Sequence, residues 1–525
     1  MHMPAFSSGH VSQILEAIKP VPPLVGPEGA RITVNEAVSR FAFLYEKIRN
    51  AVDYKDEHLI RKSAVVRILK RQLILESDPE VIADHLIREL IAARYLPNAT
   101  LPESLVDDVA RSVRKYQAVA RFNAGGERHS RWLCDIAAVE IENALVDSST
   151  EKALVTFLYE RLADSIKVRG QELDDTERRL QIYVACYRSL VKADDAMLGY
   201  KLLRAYLPEW VRSEEWLADP RPIAERLVAV ERRVRGRLKH KLAQRFQRAV
   251  KPWAVSLAIL RDALVEKRGD APILLEKPEA LDARIARKTD ERYAEARARL
   301  RRGTVRATLY LLATKMLVAL VLEVPIEWFW TAHVNYFTLS INLLFPPVLM
   351  FFVGLLIRVP GQENTERIKD GVHELLSETP IAIREVKAPK TRLGLSGFLF
   401  TMTYAATFLI TFGLVLIVLG ALDFIWISAT IFIFFLCVVS FFGFRLRQTA
   451  REVIVVEGKQ GIISAIADFL SLPVLRAGQW LSRSVSRINV FLFIFDFMFE
   501  APFKMFLTVL EEWFAFMKEK REELQ

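Results

Sequence analysis

The chain has 525 residues, of which 52% are hydrophobic and 26% are charged, and its formal net charge is +10. Both fractions are high because apolar and charged residues are segregated, and the long uncharged runs lie almost entirely after residue 303. This distribution excludes a purely soluble enzyme, a disordered chain and a disulfide-framed secreted module. Cys134, Cys186 and Cys437 are widely spaced, so we expect neither a disulfide framework nor a zinc site.

Residues 1–33 contain a proline cluster between positions 20 and 27 and no basic stretch followed by an apolar one. We therefore expect a disordered segment without a cleavable signal peptide. In residues 34–210, apolar side chains recur at helical spacing, with capping signals such as Thr33 with Glu36. No strand alternation is present, so this region is predicted to be a cytoplasmic domain built of helices.

Recognisable motifs for catalysis, nucleotide binding and metal binding are absent from the sequence. Paired acids at 107–108, 174–175 and 194–195 are read as ordinary helix-start residues, because adjacent acids on a helix project in different directions. We therefore expect no metal and no cofactor, and we assign no catalytic residue. A catalytic constellation dispersed along the chain would escape this reading, so a membrane-bound enzyme stays as a weaker alternative.

Residues 211–303 form a basic neck, in which eight Lys and Arg residues fall within an acid-free run from 232 to 248. An apolar stripe runs through it, so the sequence predicts a basic amphipathic helix. Three interpretations stay open: a solvated face on a core helix, docking to anionic lipid, or binding of RNA or another acidic partner. Sparse aromatic residues disfavour RNA. The basic residues are Arg232, Arg233, Arg235, Arg237, Lys239, Lys241, Arg245 and Arg248.

Four membrane spans are predicted from the uncharged runs, because a spanning helix needs about 20 apolar residues. They are arranged as two hairpins over 304–357 and 393–444, which turn near 331–334 and 421–424. Neither turn contains Lys or Arg, whereas the connector 358–392 contains seven. In membrane proteins, cytoplasmic loops carry an excess of Lys and Arg. This rule predicts that the connector and both termini are in the cytoplasm and that the spans lie in the cell inner membrane.

Polar residues inside the spans are the candidate functional positions. For Lys315 and Glu323, three interpretations stay open: snorkelling to the membrane surface, a structural contact with a partner such as Asn342, or a role in transport or gating. Thr403, Thr407 and Thr411 share one face of the third span, which favours a helix-packing seam over a polar pathway.

In the C-terminal part, 445–525, the residues from 446 onward contain ten basic and ten acidic side chains, and the segment from 488 to 517 is rich in phenylalanine. Its charged residues would be costly at a bilayer centre, so we predict cytoplasmic amphipathic helices in the membrane interface rather than a fifth span. The candidate anchors are Phe491, Phe495, Phe499, Phe503 and Trp513.

The predicted fold is thus all-α, a polytopic membrane protein with most of its mass in the cytoplasm. The first functional hypothesis is a membrane-anchored scaffold or adaptor that binds a cytosolic protein. The competing one is a transporter or channel for a small ion or solute. The sequence leaves self-association open.

Overall fold

The computed structural model describes the chain except residues 1–5, 20–30, 37–38, 41, 44–45, 48–56, 123–124, 171, 332–334, 358–360, 389–393, 451–454, 456–461, 488–508, 510–512, 514–515 and 518–525. The protein is 81% helical.

The first part of the chain forms a body of packed helices, called the helical body below. Its elements, in chain order, are α1 (Ser8–Ala17), α2 (Glu57–Leu75), α3 (Pro79–Ala92), α4 (Leu105–Ala120), α5 (Gly126–Leu145), α6 (Ser149–Leu162), β1 (Ile166–Arg169), α7 (Asp175–Cys186), α8 (Asp195–Tyr206), α9 (Arg221–Leu238), α10 (Ala243–Val265) and α11 (Ala271–Glu276).

The second part of the chain contains the long apolar helices. Its elements are α12 (Pro278–Val318), α13 (Val324–Thr331), α14 (Tyr336–Leu356), α15 (Gln362–Leu376), β2 (Arg384–Lys387), α16 (Leu395–Ala421), α17 (Trp426–Ala450) and α18 (Ile462–Arg487). A π-helical turn, Ala319–Glu323, joins α12 to α13 without a break. Among the described residues, four helices are long and apolar enough to cross a membrane: Pro278–Trp330, Tyr336–Leu356, Leu395–Ala421 and Trp426–Arg447.

Two apolar cores hold the helical body together. One core joins α2, α3, α4 and α5 to parts of α8 and α9, around the fully buried Trp210. The other joins α1, α6, α7 and α10 to the start of α12 and to α15 and β2. Apolar side chains from 211–303 contribute to both cores, so the predicted boundary at 210 does not coincide with a gap in packing.

Part of the segment expected to be disordered is helical. Helix α1 places Ile14 and Ile18 in the second core, and the Ser7 N–H donates to the Leu376 carbonyl at 2.8 Å. The expectation of disorder was wrong for these residues, because the prolines that suggested it follow the helix rather than interrupt it.

The segment 358–392, expected to be a plain connector, contributes to the helical body. Helix α15 buries Ile368, Val372 and Leu375 completely in the second core. Strand β2 pairs in parallel with β1, with Val386 opposite Val168. The all-helical prediction is therefore wrong at this small sheet, whose four-residue strands are too short to show a period-2 pattern.

The apolar helices pack as a bundle in which α14 contacts both α12 and α17. Small residues allow close approach: a Cβ on Gly354 would overlap the side chain of Thr304. At the opposite end of the bundle, Trp330 and Trp426 meet edge to face with ring centroids 6.3 Å apart. We call this the tryptophan end, and it places the start of α17 beside the end of α13.

Candidate functional site

A buried ion pair lies inside the bundle of apolar helices. Lys315 and Glu323 are eight residues apart on one continuous helix, which corresponds to about 12 Å of rise, and the Lys315 ammonium donates to Glu323 Oε1. Both side chains are fully shielded from solvent. The Lys315 Nζ also lies 4.7 Å from the centroid of the Phe435 ring. Snorkelling, one of the alternatives for Lys315, is therefore not its conformation here.

Asn342 completes the cluster from the neighbouring helix. Its Nδ2 donates to Glu323 Oε2 at 2.9 Å and to the Ser428 carbonyl at 3.3 Å. Its Oδ1 is buried without a hydrogen-bond partner among the described residues. Three apolar helices thus meet at one cluster. Both carboxylate oxygens of Glu323 accept hydrogen bonds there, whereas the amide oxygen of Asn342 accepts none from the described residues.

Prolines shape the backbone on both sides of this cluster. Pro325 has no N–H for the carbonyl four residues earlier, and the π-helical turn Ala319–Glu323 lies directly before it. Pro346 likewise removes the helical donor for the Asn342 carbonyl. The sequence therefore weakens both helices at the level where the polar side chains meet, a common feature of functional sites in membrane helices.

A second acid, Glu327, holds the start of α14 at the tryptophan end. Glu327 is buried, and its Oε1 accepts the Asn335 N–H at 3.1 Å. Asn335 in turn caps α14 by accepting from the Phe337 and Thr338 N–H groups. We interpret Glu327 as a structural residue.

The threonine face of α16 is partly buried. Thr407 and Thr411 are buried, whereas Thr403 is exposed, and the Thr407 hydroxyl donates to the Thr403 carbonyl at 2.8 Å. Such back-bonding satisfies the hydroxyl within its own helix and is compatible with the expected packing seam.

The basic neck is not one helix. Helix α9 ends at Leu238 and α10 begins at Ala243, so the basic run is divided by a short turn. Its apolar stripe is buried, with Val234, Leu238 and Phe246 in the second core. The single amphipathic helix was a wrong prediction, because sequence periodicity continued across a turn that only packing reveals.

The basic side chains themselves divide into two groups. Arg235 and Arg237 form ion pairs with Glu231 and Glu177, and Arg245 donates to the Lys387 carbonyl. The remaining five are exposed and form what we call the basic surface: Arg232, Arg233, Lys239, Lys241 and Arg248. With the stripe buried, only these cationic groups of the run are available to an acidic partner or to anionic lipid.

The predicted interfacial anchors lie mainly outside the described residues. This applies to Phe491, Phe495, Phe499 and Phe503. Trp513 is described, is helical and is 53% exposed.

Sequence reasoning missed two buried polar clusters in the helical body. Lys115 pairs with Glu140, whose second oxygen accepts from the Tyr116 hydroxyl at 2.8 Å and the Trp210 indole at 3.1 Å. Burial lowers the pKa of Lys115 and raises the pKa of Tyr116 well above its usual value. The sequence contains a signal for the first cluster. Lys115 and Ser112 are three residues apart, so both lie on the otherwise apolar face of α4.

The second missed cluster links α5 to α9. His129 Nδ1 lies 2.5 Å from Glu231 Oε2, and Glu231 also pairs with Arg235. His129 and Glu231 are both buried. We interpret both clusters as fold-stabilising, since their polar groups satisfy one another between packed helices.

Comparison with protein-family models, curated proteins and solved structures finds no match for this chain. Within the described part of the chain, no three His, Cys, Asp or Glu side chains are grouped as a metal site would require.

Proposed function

We propose that this protein is a membrane-anchored cytoplasmic scaffold or adaptor of the cell inner membrane, with the helical body and both termini in the cytoplasm. The observation that supports this proposal is that chain segments before and after the first two spans both contribute residues to the core of the helical body. Helix α12 runs from the second core into the apolar bundle, and α15 with β2 returns to that core. The body is thereby held at the membrane in one orientation, as a platform for partners requires.

The continuous helix Pro278–Trp330 makes this attachment stiff. Its 53 residues correspond to about 80 Å. Leu281 and Ile285 are buried in the second core, and Leu311 is buried among the spans. A partner bound to the body is thus held at a defined distance from the bilayer.

The basic surface is the partner-binding face in this proposal. Its five cationic side chains are exposed on α9, α10 and the turn between them. An acidic protein surface is the complementary partner, and electrostatic attraction of this kind increases the rate of association and gives specificity.

The test is photo-cross-linking of the full-length protein in native membranes. The variant Arg232→Glu/Lys239→Glu/Arg248→Glu should lose its cross-linked proteins. The matched control reverses the charge of three exposed arginines on and just after α4, away from the basic surface: Arg111, Arg114 and Arg121. This control variant should keep the cross-linked proteins. Identical cross-links in both variants, or none with the unaltered protein, would contradict the proposal.

A second candidate function is ion or solute transport through the Lys315–Glu323–Asn342 cluster. The observation that favours it is the unsatisfied Asn342 Oδ1 beside a buried ion pair, since ionisable residues inside membranes commonly serve ion pathways. Proteoliposomes containing a pH-sensitive dye test it directly. Proton flux that is lost in Lys315→Met but kept in Leu320→Met would support transport, and absence of flux in the unaltered protein would remove this candidate.

A further inference from the structure

The small parallel sheet has two outer edges, and its register determines which backbone groups point to them. The Arg384 N–H donates to the Ser165 carbonyl at 2.8 Å, and the ladder continues from there along both strands. In a parallel pair, alternate residues of one strand direct both backbone groups to the same neighbour. Every second residue of β1 from Ser165 onward therefore faces β2. The N–H and C=O groups of Ile166 and Val168 point away from β2, to the outer edge.

Arginine side chains cap part of each outer edge. On β1, the Arg178 guanidinium donates to the Ile166 carbonyl at 2.9 Å. On β2, Arg245 donates to the Lys387 carbonyl, and helix α10 packs against this strand. Within the described part of the chain, the backbone of Val168 has no partner on the outer edge of β1. One backbone donor and one backbone acceptor are thus open there.

A cleft lies beside this open edge. It is bounded by β1, by the start of α7 and by residues 172–174, and its lining includes Val168, Leu173 and Arg178. Its volume of about 910 Å³ is near the upper end of the ~300–1,000 Å³ range of ligand-binding clefts. Val168 and Leu173 are half-buried and pack against the second core, so they offer apolar contact area to a ligand.

The lining of the cleft has an excess of carboxylates. Its two arginines are neutralised by ion pairs with Asp164 and Asp175. Glu172 and Asp174 are also exposed in the lining, and their side chains form no ion pair or hydrogen bond with the described residues. Lys167 is a lining cation without such a partner in the described part of the chain. Two open carboxylates against one open ammonium favour a basic ligand.

A peptide backbone is the ligand that complements this edge. An anion would match the open N–H group but not the carbonyl, and a cation would match the carbonyl but not the N–H group. An extended chain presents both an acceptor and a donor at the ~4.8 Å spacing of neighbouring strands. A two-stranded sheet is also marginal by itself, so a third strand adds stability to β1 and β2.

We propose that the cleft binds an extended, basic segment of a partner protein, which adds to β1 as a third strand. Val168 donates one backbone hydrogen bond to this segment and accepts one from it. A Lys or Arg side chain of the segment pairs with Glu172 or Asp174. This site goes beyond the scaffold proposal, because its partner is a basic strand whereas the partner of the basic surface is acidic. The two sites can therefore fail or succeed independently.

Fluorescence anisotropy with the full-length protein in detergent micelles tests the binding. The probe is a dye-labelled hexapeptide of alternating valine and lysine, which is both extended and basic. It should bind saturably, and Glu172→Lys/Asp174→Lys should weaken binding by about tenfold or more, because attraction becomes repulsion. Glu103→Lys/Asp107→Lys is the matched control. It reverses two exposed acids outside the cleft and should leave binding unchanged.

A second probe separates strand addition from simple charge attraction. The same peptide with every backbone nitrogen methylated keeps its side chains and its charge but cannot donate a backbone hydrogen bond. It should bind about tenfold more weakly or worse. Equal binding of the two peptides would mean that charge alone attracts them. No saturable binding of the first peptide would mean that the cleft is not a strand site; either result overturns the proposal.

Hydrogen exchange resolved to single amides tests the edge itself. Without peptide, the Val168 amide should exchange faster than the amides of Lys167 and Arg169, whose N–H groups point to β2. The valine–lysine peptide should slow exchange at Val168 by about tenfold or more. A Val168 amide that is protected without peptide would mean that another part of the chain, or a second copy, already covers the edge. That result would refute the proposal.

Discussion

Replacing Lys315 by methionine removes the cation from the buried ion pair while keeping the length of the side chain. Glu323 is then left as a carboxylate with Asn342 as its hydrogen-bond donor among the spans. Breaking a fully buried pair by removing one partner costs about 3–5 kcal/mol. Because Glu323 keeps the Asn342 bond, we expect the lower end of that range, about 3 kcal/mol.

The measurement is reversible unfolding of the purified protein in mixed detergent micelles, followed by circular dichroism. Leu320→Met is the matched control, because Leu320 is 70% exposed on the same helix and should change stability little. Lys315→Met/Glu323→Gln should recover to within about 1 kcal/mol of the unaltered protein, since no charge is left unpaired.

Two results would refute this reasoning. A loss below about 1 kcal/mol in Lys315→Met would mean that the pair contributes no more than an average hydrogen bond between membrane helices. A double variant as unstable as the single one would mean that Lys315 acts through packing on Phe435 rather than through the charge of Glu323.

Three further predictions concern other parts of the chain. An impermeant maleimide added outside intact cells should label a cysteine at Ala421 but not one at residue 380; labelling at 380 would reverse the topology. Val234→Asp should destabilise the protein by about 3 kcal/mol or more and Arg232→Ala by less than about 0.5 kcal/mol in thermal melts, because only Val234 is buried. Burial lowers the pKa of Lys201 to about 8, so the folded state binds fewer protons than the unfolded state between about pH 8 and 10.5. Stability should therefore rise with pH in that window, and Lys201→Met should abolish the rise.

The candidate site was partly predictable from sequence. Lys315, Glu323 and Asn342 stand out because each interrupts a long apolar run, and the hydrocarbon interior makes such residues costly without partners. Their mutual contact was not predictable, because it depends on which face of α14 meets α12. The unsatisfied Asn342 Oδ1 was not predictable either. The orientation of the Asn342 amide depends on its hydrogen bond to the Ser428 carbonyl, which lies on a third helix.

The sequence by itself determined the four apolar helices, because the need for about 20 consecutive apolar residues is a one-dimensional property of the chain. Pro346 and Pro347, which remove backbone N–H donors from the helix that carries Asn342, are likewise a property of the sequence alone. Both results depend on neighbours along the chain and require no knowledge of packing.

Only the tertiary structure decided which apolar faces meet protein. The stripe of the basic neck is core, α15 belongs to the helical body, and β1 pairs with β2 more than two hundred residues away. It also placed Gly478 against Cys437. An amphipathic pattern shows that a face leaves water, but lipid and protein remove it from water equally well, so the choice between them depends on contacts distant in sequence.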